Sequence, residues 1–110
     1  MRSQQLGEEV AGYVLVADAG DEAVASINEF AHAQGLTSAQ LTAVGAFSEA
    51  TVGWFDRAAK EYRHIEIREQ CEVLSLIGDV AEGGDGPQVH AHVVLGLADG
   101  TTRGGHLLSG

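Results

Sequence analysis

The sequence is short of cysteine, proline, positive charge and long apolar runs. Its 110 residues include one cysteine and one proline. The lone cysteine, Cys71, excludes an internal disulfide, which fits a reducing compartment. Because Cys71 stands in the apolar stretch EQCEVLSLIGDV, and free cysteines are among the most buried side chains, we predict a core residue there rather than a nucleophile.

Long apolar segments are also missing. No stretch approaches the roughly 20 apolar residues that a helix needs to cross a bilayer. The opening residues MRSQQLGEEV lack the apolar segment of a signal peptide. We therefore expect a cytoplasmic protein with no membrane partner.

Positive charge is scarce, since 6 Lys and Arg stand against 16 Asp and Glu and give a formal net charge of −10. Neutralisation of phosphates by Lys and Arg supplies most of the non-specific affinity of proteins for nucleic acids. Direct binding to nucleic acid is therefore disfavoured. The length and an apolar content of 45% predict one folded domain over residues 1–110.

The order of helix and strand patterns predicts an α+β fold with a central, mostly antiparallel β-sheet flanked by one main helix. Residues 10–19 are rich in β-branched and aliphatic side chains and are predicted as a first strand. A helix follows, with Asp21 as its N-cap and Gly35 at its C-terminal end.

The rest of the chain is dominated by strand patterns. The stretch SAQLTAVGAFSEATVGWFD is predicted to begin with a short helical turn and then to become extended, and AEGGDGPQ is predicted as a loop. Further strands are predicted in KEYRHIEIREQ, CEVLSLIGDV, VHAHVVLGL and TRGGHLL.

Two closely spaced histidines, His90 and His92, lie in the strand pattern VHAHVVLGL. Side chains alternate faces along a strand, so both imidazoles point to the face opposite Ala91 and Val93, about 7 Å apart along the strand. That spacing lets them converge on one ion. An isolated pair of strand histidines is more often a solvated or hydrogen-bonded surface feature, so the interpretation depends on a third ligand.

The third histidine, His106, is brought back by a hairpin whose loop length decides its face. A two-residue loop of Asp99 and Gly100 would place His106 opposite Val93, on the wrong face. A three-residue loop that includes Ala98 would place His106 opposite His92, and a bulge at the two glycines before His106 could also re-aim it. Three neutral imidazoles with an open fourth position suit zinc or another divalent transition metal.

The other two histidines, His32 on the helix and His64 in a charged strand, have no partner at ligand spacing. Both are interpreted as ordinary polar positions.

Several segments of this sequence resemble the plant and prokaryote conserved domain, or PPC domain. The matching pieces are GDEAVASINEFAHAQGLTSAQLTAVGAFSEATVGWFD, KEY, CEVLSLIGDV and HAHVVLGLADGTTRGGHLLSG. They occur in family order over about residues 13–110. The closing block, H-x-H followed by G-G-H-L, is the most specific of them.

The resemblance implies an α+β fold assembled as a homotrimer, with a metal, commonly zinc, held by His90, His92 and His106. It also implies similarity in fold to α-acetolactate decarboxylase, a zinc lyase. Plant relatives carry an AT-hook for DNA, and bacterial members are often labelled DNA-binding, but this sequence contains no such element. Family members continue beyond G-G-H-L into another strand, so the resemblance implies that the final strand is shortened or absent here.

Two classes of function compete. We favour a homotrimeric metal-binding module over an enzyme, because no nucleophile is evident. The alternative is a zinc-dependent lyase or hydrolase acting on a small-molecule ligand, for which Glu72 and Arg103 are the candidates to polarise substrate and move protons. Charged residues at strand ends are more often simply solvated.

Overall fold

The computed structural model describes residues 12–110. They form one helix and six strands. In chain order these are α1 (Ala23–Gln34), β1 (Ser38–Phe47), β2 (Ala50–Asp56), β3 (Glu61–Ile67), β4 (Cys71–Gly83), β5 (Gly86–Gly96) and β6 (Thr102–Ser109).

The six strands form one sheet in the order β1-β4-β5-β6-β2-β3, and every neighbouring pair is antiparallel. This confirms the predicted α+β fold with a mostly antiparallel sheet and one main helix. Strands β5 and β6, which carry the three clustered histidines, lie in the middle of the sheet. Across residues 12–110, the structure contains no helix with the length and apolar character needed to span a membrane.

The core lies on one face of the sheet. Alternate residues of β5, namely Ala91, Val93 and Leu95, are buried, and Leu95 has no exposed surface at all. Val24 of α1 packs against the same cluster, so the helix covers this face. Cys71 is buried in the core, as predicted. The opposite face of the central strands has no helix over it among the described residues.

Helix α1 begins one residue later than predicted. Glu22 is its N-cap, with its carboxylate accepting hydrogen bonds from the N–H groups of Val24 and Ala25. Asp21 instead closes the preceding turn, where its carboxylate accepts from the N–H of Asp18 at 2.9 Å. Gly35 ends the helix in the left-handed conformation, φ +66°, as predicted from the preference for glycine there.

The predicted first strand over residues 10–19 is wrong for the part that the structure describes. Residues 12–17 are not paired with any strand in the described chain, and Val14 and Val16 are 92% and 85% exposed. A strand requires a neighbour for its N–H and C=O groups, which composition alone does not supply. Residues 10 and 11 lie outside the described residues.

Two other local predictions were also wrong. The SAQLT segment is not a helical turn, because Ser38 already pairs with Ala81 of β4. The glycine-rich AEGGDGPQ stretch is mostly strand, since β4 and β5 continue pairing as far as Gly83 and Gly86. Ser38 pairs with a distant segment, whereas the AEGGDGPQ stretch pairs with itself across the turn, with Ala81 opposite Gln88. In both cases sheet pairing overrides local composition.

Candidate metal centre

Of the two loop lengths that the sequence allows, the β5–β6 hairpin has the three-residue one, formed by residues 98–100. The N–H of Leu97 donates to the carbonyl of Thr101, and the N–H of Gly100 donates to the carbonyl of Leu97, both at 2.9 Å. Gly100 has φ +84°, the left-handed conformation that glycine adopts without steric cost. The carboxylate of Asp99 accepts from both the N–H and the hydroxyl of Thr101.

This loop places His106 directly opposite His92. Pairing runs without a break from Gly96 and Thr102 down to His92 and His106, so no bulge at the glycines is needed to re-aim the ring. On the other side of β6, His106 pairs with Gly53 of β2. Loop length alone therefore accounts for the position of the third histidine.

His90, His92 and His106 meet on the face of the sheet opposite α1. One nitrogen from each ring lies within 4.8 Å of the other two. The ring centroids of His90 and His106 are 4.7 Å apart, those of His90 and His92 are 5.2 Å apart, and those of His92 and His106 are 5.8 Å apart. The structure therefore brings together all three residues that the sequence pattern predicts to meet.

His106 is the most enclosed member of the cluster. Its Nδ1 is buried and has no hydrogen-bond partner in the described chain. Burial lowers the pKa of His106, and the nearby His90 and His92 lower it further. Both effects favour the neutral ring, which is the form that binds a metal.

Tyr62 covers part of His106. Their ring centroids are 5.0 Å apart, although Tyr62 lies on β3, two strands away from β6. Gly53 on the intervening strand makes this possible, because a Cβ there would lie 2.9 Å from Cδ1 of Tyr62. Sequence reasoning missed both residues, since only the strand order reveals that Gly53 and Tyr62 flank His106.

An apolar groove of about 620 Å³ adjoins His92 and His106. Its walls include the exposed side chains of Phe55, Ile77 and Val94. A larger cavity of about 710 Å³ lies beside the start of α1 and is lined by none of the three histidines. The three histidines and the larger cavity are thus separate.

The remaining candidates lie away from the cluster. Arg103 pairs with Leu95, so its side chain points to the core face, opposite the three histidines. Glu72 pairs with Gly96, about 13 Å along the strand from His92. His32 and His64 are not part of the cluster.

Comparisons with known proteins find solved structures of similar fold and sequence. A protein from Archaeoglobus fulgidus described as metal-containing superimposes with a TM-score of 0.86 and 40% sequence identity, covering 92% of this chain and 72% of that one. The plant- and prokaryote-conserved (PPC) protein of Pyrococcus horikoshii superimposes with a TM-score of 0.83 and 35% sequence identity, and the match covers 86% of this chain and 66% of that one. A candidate DNA-binding protein from Bacteroides thetaiotaomicron superimposes with a TM-score of 0.76 and 32% sequence identity, and the match covers 80% of this chain and 62% of that one.

This chain also matches one part of a much longer curated protein. The bifunctional protein GlmU of Synechococcus sp. (strain JA-3-3Ab) is 34% identical over 92 residues, and this chain spans 14% of its length. The family model named Plants and Prokaryotes Conserved (PCC) domain matches residues 4–110. This match and the structural neighbours show that the chain belongs to the Plants and Prokaryotes Conserved domain family, the PPC family of the sequence analysis.

Proposed function

We propose that this chain is a homotrimeric domain that binds a zinc-type divalent metal through His90, His92 and His106. The observation that supports the metal site most directly is the convergence of three imidazoles, with one nitrogen of each ring within 4.8 Å of the other two. In addition, Nδ1 of His106 is buried and has no hydrogen-bond partner in the described chain. A buried polar atom without a partner costs free energy unless something satisfies it. A metal ion at the centre of the cluster, bound through the three rings, would organise them.

The donor set fits a zinc-type ion. At Zn–N distances of about 2.0–2.1 Å, the nitrogens of a tetrahedral site lie about 3.4 Å apart. The three nitrogens already lie within 4.8 Å of one another, so small side-chain rotations would bring them to that spacing. Three histidines leave a fourth position open, where a bound metal supplies Lewis-acid character to water or a ligand.

The relative from Archaeoglobus fulgidus supports the same proposal, because it is described as metal-containing and is 40% identical over most of this chain. The identity of the ion in this chain is part of the proposal. Zinc fits three imidazoles, and nickel or cobalt fits the same ligands.

A titration tests the site. Protein stripped of metal with a chelator is titrated with zinc by calorimetry, alongside His106→Ala and His64→Ala variants. His64 is a matched control because it is a strand histidine outside the cluster. We expect one zinc per chain in the parent protein and in His64→Ala, and no site in His106→Ala. Equal zinc binding by all three proteins would contradict the proposal.

Exposed apolar surface supports the proposed trimer. The face of the sheet that carries the three histidines also exposes Phe55, Tyr62, Ile77 and Val94, with Ile77 63% exposed. We call this surface the histidine face. A patch of this kind on a folded domain marks an interaction site, and a second copy of the chain is the occupant that we propose.

Charge distribution favours contact between copies. Four of the six basic residues stand between residues 54 and 68, on or beside the β2–β3 hairpin, with only three of the sixteen acidic residues. The rest of the chain is strongly acidic. One copy's hairpin is therefore complementary in charge to the remaining surface of another, which favours contact between two different surfaces, as in a head-to-tail ring.

Sedimentation tests the assembly. We expect a species of three times the 11.5 kDa chain mass, and dissociation of that species in Ile77→Asp. Val16→Asp is the matched control, because Val16 is exposed but lies outside the histidine face. A parent protein that sediments as a monomer at micromolar concentration would contradict the trimer.

Direct binding to DNA is not part of the proposal, although a relative is described as a candidate DNA-binding protein. The net charge of −10 opposes association with a polyanion. A mobility-shift assay at low salt tests this directly. We expect no complex with A·T-rich duplex, and a salt-sensitive complex would reverse this part of the account.

The alternative of a zinc-dependent lyase or hydrolase has no observation in its favour. The groove beside His92 and His106 is lined by no Asp, Glu, Lys or Arg of the described chain. Glu72 and Arg103 lie away from the histidines, as described above. We therefore propose a binding role for the metal site rather than a catalytic one.

A further inference from the structure

The central sheet divides beside the histidine cluster. Strands β5 and β6 pair from Gly96 and Thr102 to His92 and His106, and the described pairing ends there. Beyond this point β6 pairs with β2, where Leu107 lies opposite Val52. His90 is therefore on a part of β5 that has β4 on one side and, within residues 12–110, no strand on the other.

Helix α1 occupies the gap. The side-chain carbonyl of Asn28 accepts a hydrogen bond from the backbone N–H of Val89 at 2.8 Å, in a part-buried setting and across 61 residues of chain. This N–H points away from β4, toward the position that a paired β6 would fill. Asn28 thus replaces the missing strand partner immediately before His90.

The same helix also holds the departing strand. At its N-terminal end the carboxylate of Glu22 accepts from the N–H of Gly110 at 2.9 Å, and the N–H of Ala23 donates to the carbonyl of Gly110 at 2.8 Å. α1 therefore contacts β5 through Asn28 and the end of β6 through its first turn. The helix is thus hydrogen-bonded to both strands at the point where they separate.

We propose that Asn28 is a positioning residue for the three-histidine site, fixing the backbone of β5 so that His90 reaches His92 and His106. This inference rests on the proposed metal function. Metal coordination requires ligand distances within about 0.2 Å of their ideal values. His90 is the only ligand outside the paired part of the hairpin, so its place in the cluster depends on the neighbouring Val89 being held.

A purely structural role for Asn28, in which it secures the helix and nothing else, makes a different prediction. Loss of the hydrogen bond would then lower the stability of the protein without changing the geometry around a bound metal. Cobalt(II) separates the two roles, because its visible absorption reports the number and arrangement of its ligands while its affinity is measured in the same titration.

The experiment compares the parent protein with Asn28→Ala, Asn28→Asp and Glu29→Ala, each stripped of metal and titrated with cobalt(II). Asp keeps a carbonyl-type acceptor at the same distance, and Glu29 is an exposed neighbour on the same helix. Loss of a supporting contact around metal ligands typically weakens affinity about 10-fold or more. We expect about 10-fold weaker binding and an altered spectrum in Asn28→Ala, near-parent behaviour in Asn28→Asp, and no change in Glu29→Ala.

An unchanged cobalt spectrum and affinity in a folded Asn28→Ala protein would overturn the proposal. If that variant does not fold, Asn28→Gln takes its place, since the extra methylene displaces the acceptor while keeping its chemistry, and the same criteria apply.

A metal-free measurement separates failure of this inference from failure of the proposed function. If the parent protein binds no cobalt(II), the metal proposal fails. The ring resonances of His90 in metal-free protein are then compared by NMR between the parent and Asn28→Ala, with His64 as an internal reference. A change confined to the cluster supports positioning by Asn28, and unchanged His90 resonances overturn it.

Discussion

The loop that brings His106 back to the cluster is the most accessible place to test the fold. Gly100 has φ +84°, and a Cβ added there would meet no atom within 4 Å. The cost of Gly100→Ala is therefore conformational rather than steric. Placing a side chain in the left-handed region costs about 1–2 kcal/mol, and we expect the free energy of unfolding to fall by that amount.

Gly84→Ala is the matched control for this prediction. Gly84 lies in the turn of the β4–β5 hairpin, has open space around its Cα, and is not among the glycines with positive φ. We expect its free energy of unfolding to stay within about 0.5 kcal/mol of the parent value. The assay is urea denaturation of all three proteins at one concentration, because association changes apparent stability by mass action. Equal midpoints for the two variants would refute the argument from backbone conformation.

Three further predictions concern the core, the register of β6 and the cluster. Leu95→Ala removes a side chain with no exposed surface and should lower the free energy of unfolding by about 2–5 kcal/mol, measured by urea denaturation; a change below 1 kcal/mol would place Leu95 outside the core. Deletion of Gly104 removes one residue between the loop and His106 and should place His106 opposite Val93, on the core face, so metal per chain should drop in elemental analysis, whereas full occupancy would show that a bulge at the remaining glycine restores the register. Because the pKa of His106 is lowered in the folded protein, His106 in the unfolded chain binds a proton at higher pH, at about 6.5, and the metal-free protein should lose stability as pH falls through that value. The urea midpoint of the parent should therefore fall more steeply between pH 7.5 and 5 than that of His106→Gln. Parallel curves would contradict the burial of this ring.

The histidine cluster could be predicted from sequence because its geometry depends on local rules. Alternation along β5 puts His90 and His92 on one face, and counting residues through the Asp99-Gly100 turn leaves two registers for His106. Only one of those registers brings the third ring to the other two, and the structure has that one. The helix ending at Gly35 was predictable for a similar reason, since its stop signal is a property of one residue.

The features that could not be predicted depend on strand pairing and tertiary contacts that local composition does not reveal. Residues 12–17 have strand-like composition but no strand partner in the described chain. The AEGGDGPQ stretch has loop composition, but its two ends belong to β4 and β5 and pair with each other from Ala81 and Gln88 to Gly83 and Gly86. The places of Tyr62 beside His106 and of Asn28 beside Val89 follow only from the strand order and from the gap between β5 and β6.

Metal content per chain is the measurement that tests the central claim most directly. Tag-free protein purified without added metal is analysed by elemental mass spectrometry, alongside His92→Ala and His64→Ala. The account predicts close to one zinc-type ion per chain in the parent and in His64→Ala, and its loss in His92→Ala. Absence of metal from the parent, or retention of full occupancy in His92→Ala, would contradict a metal site built from His90, His92 and His106.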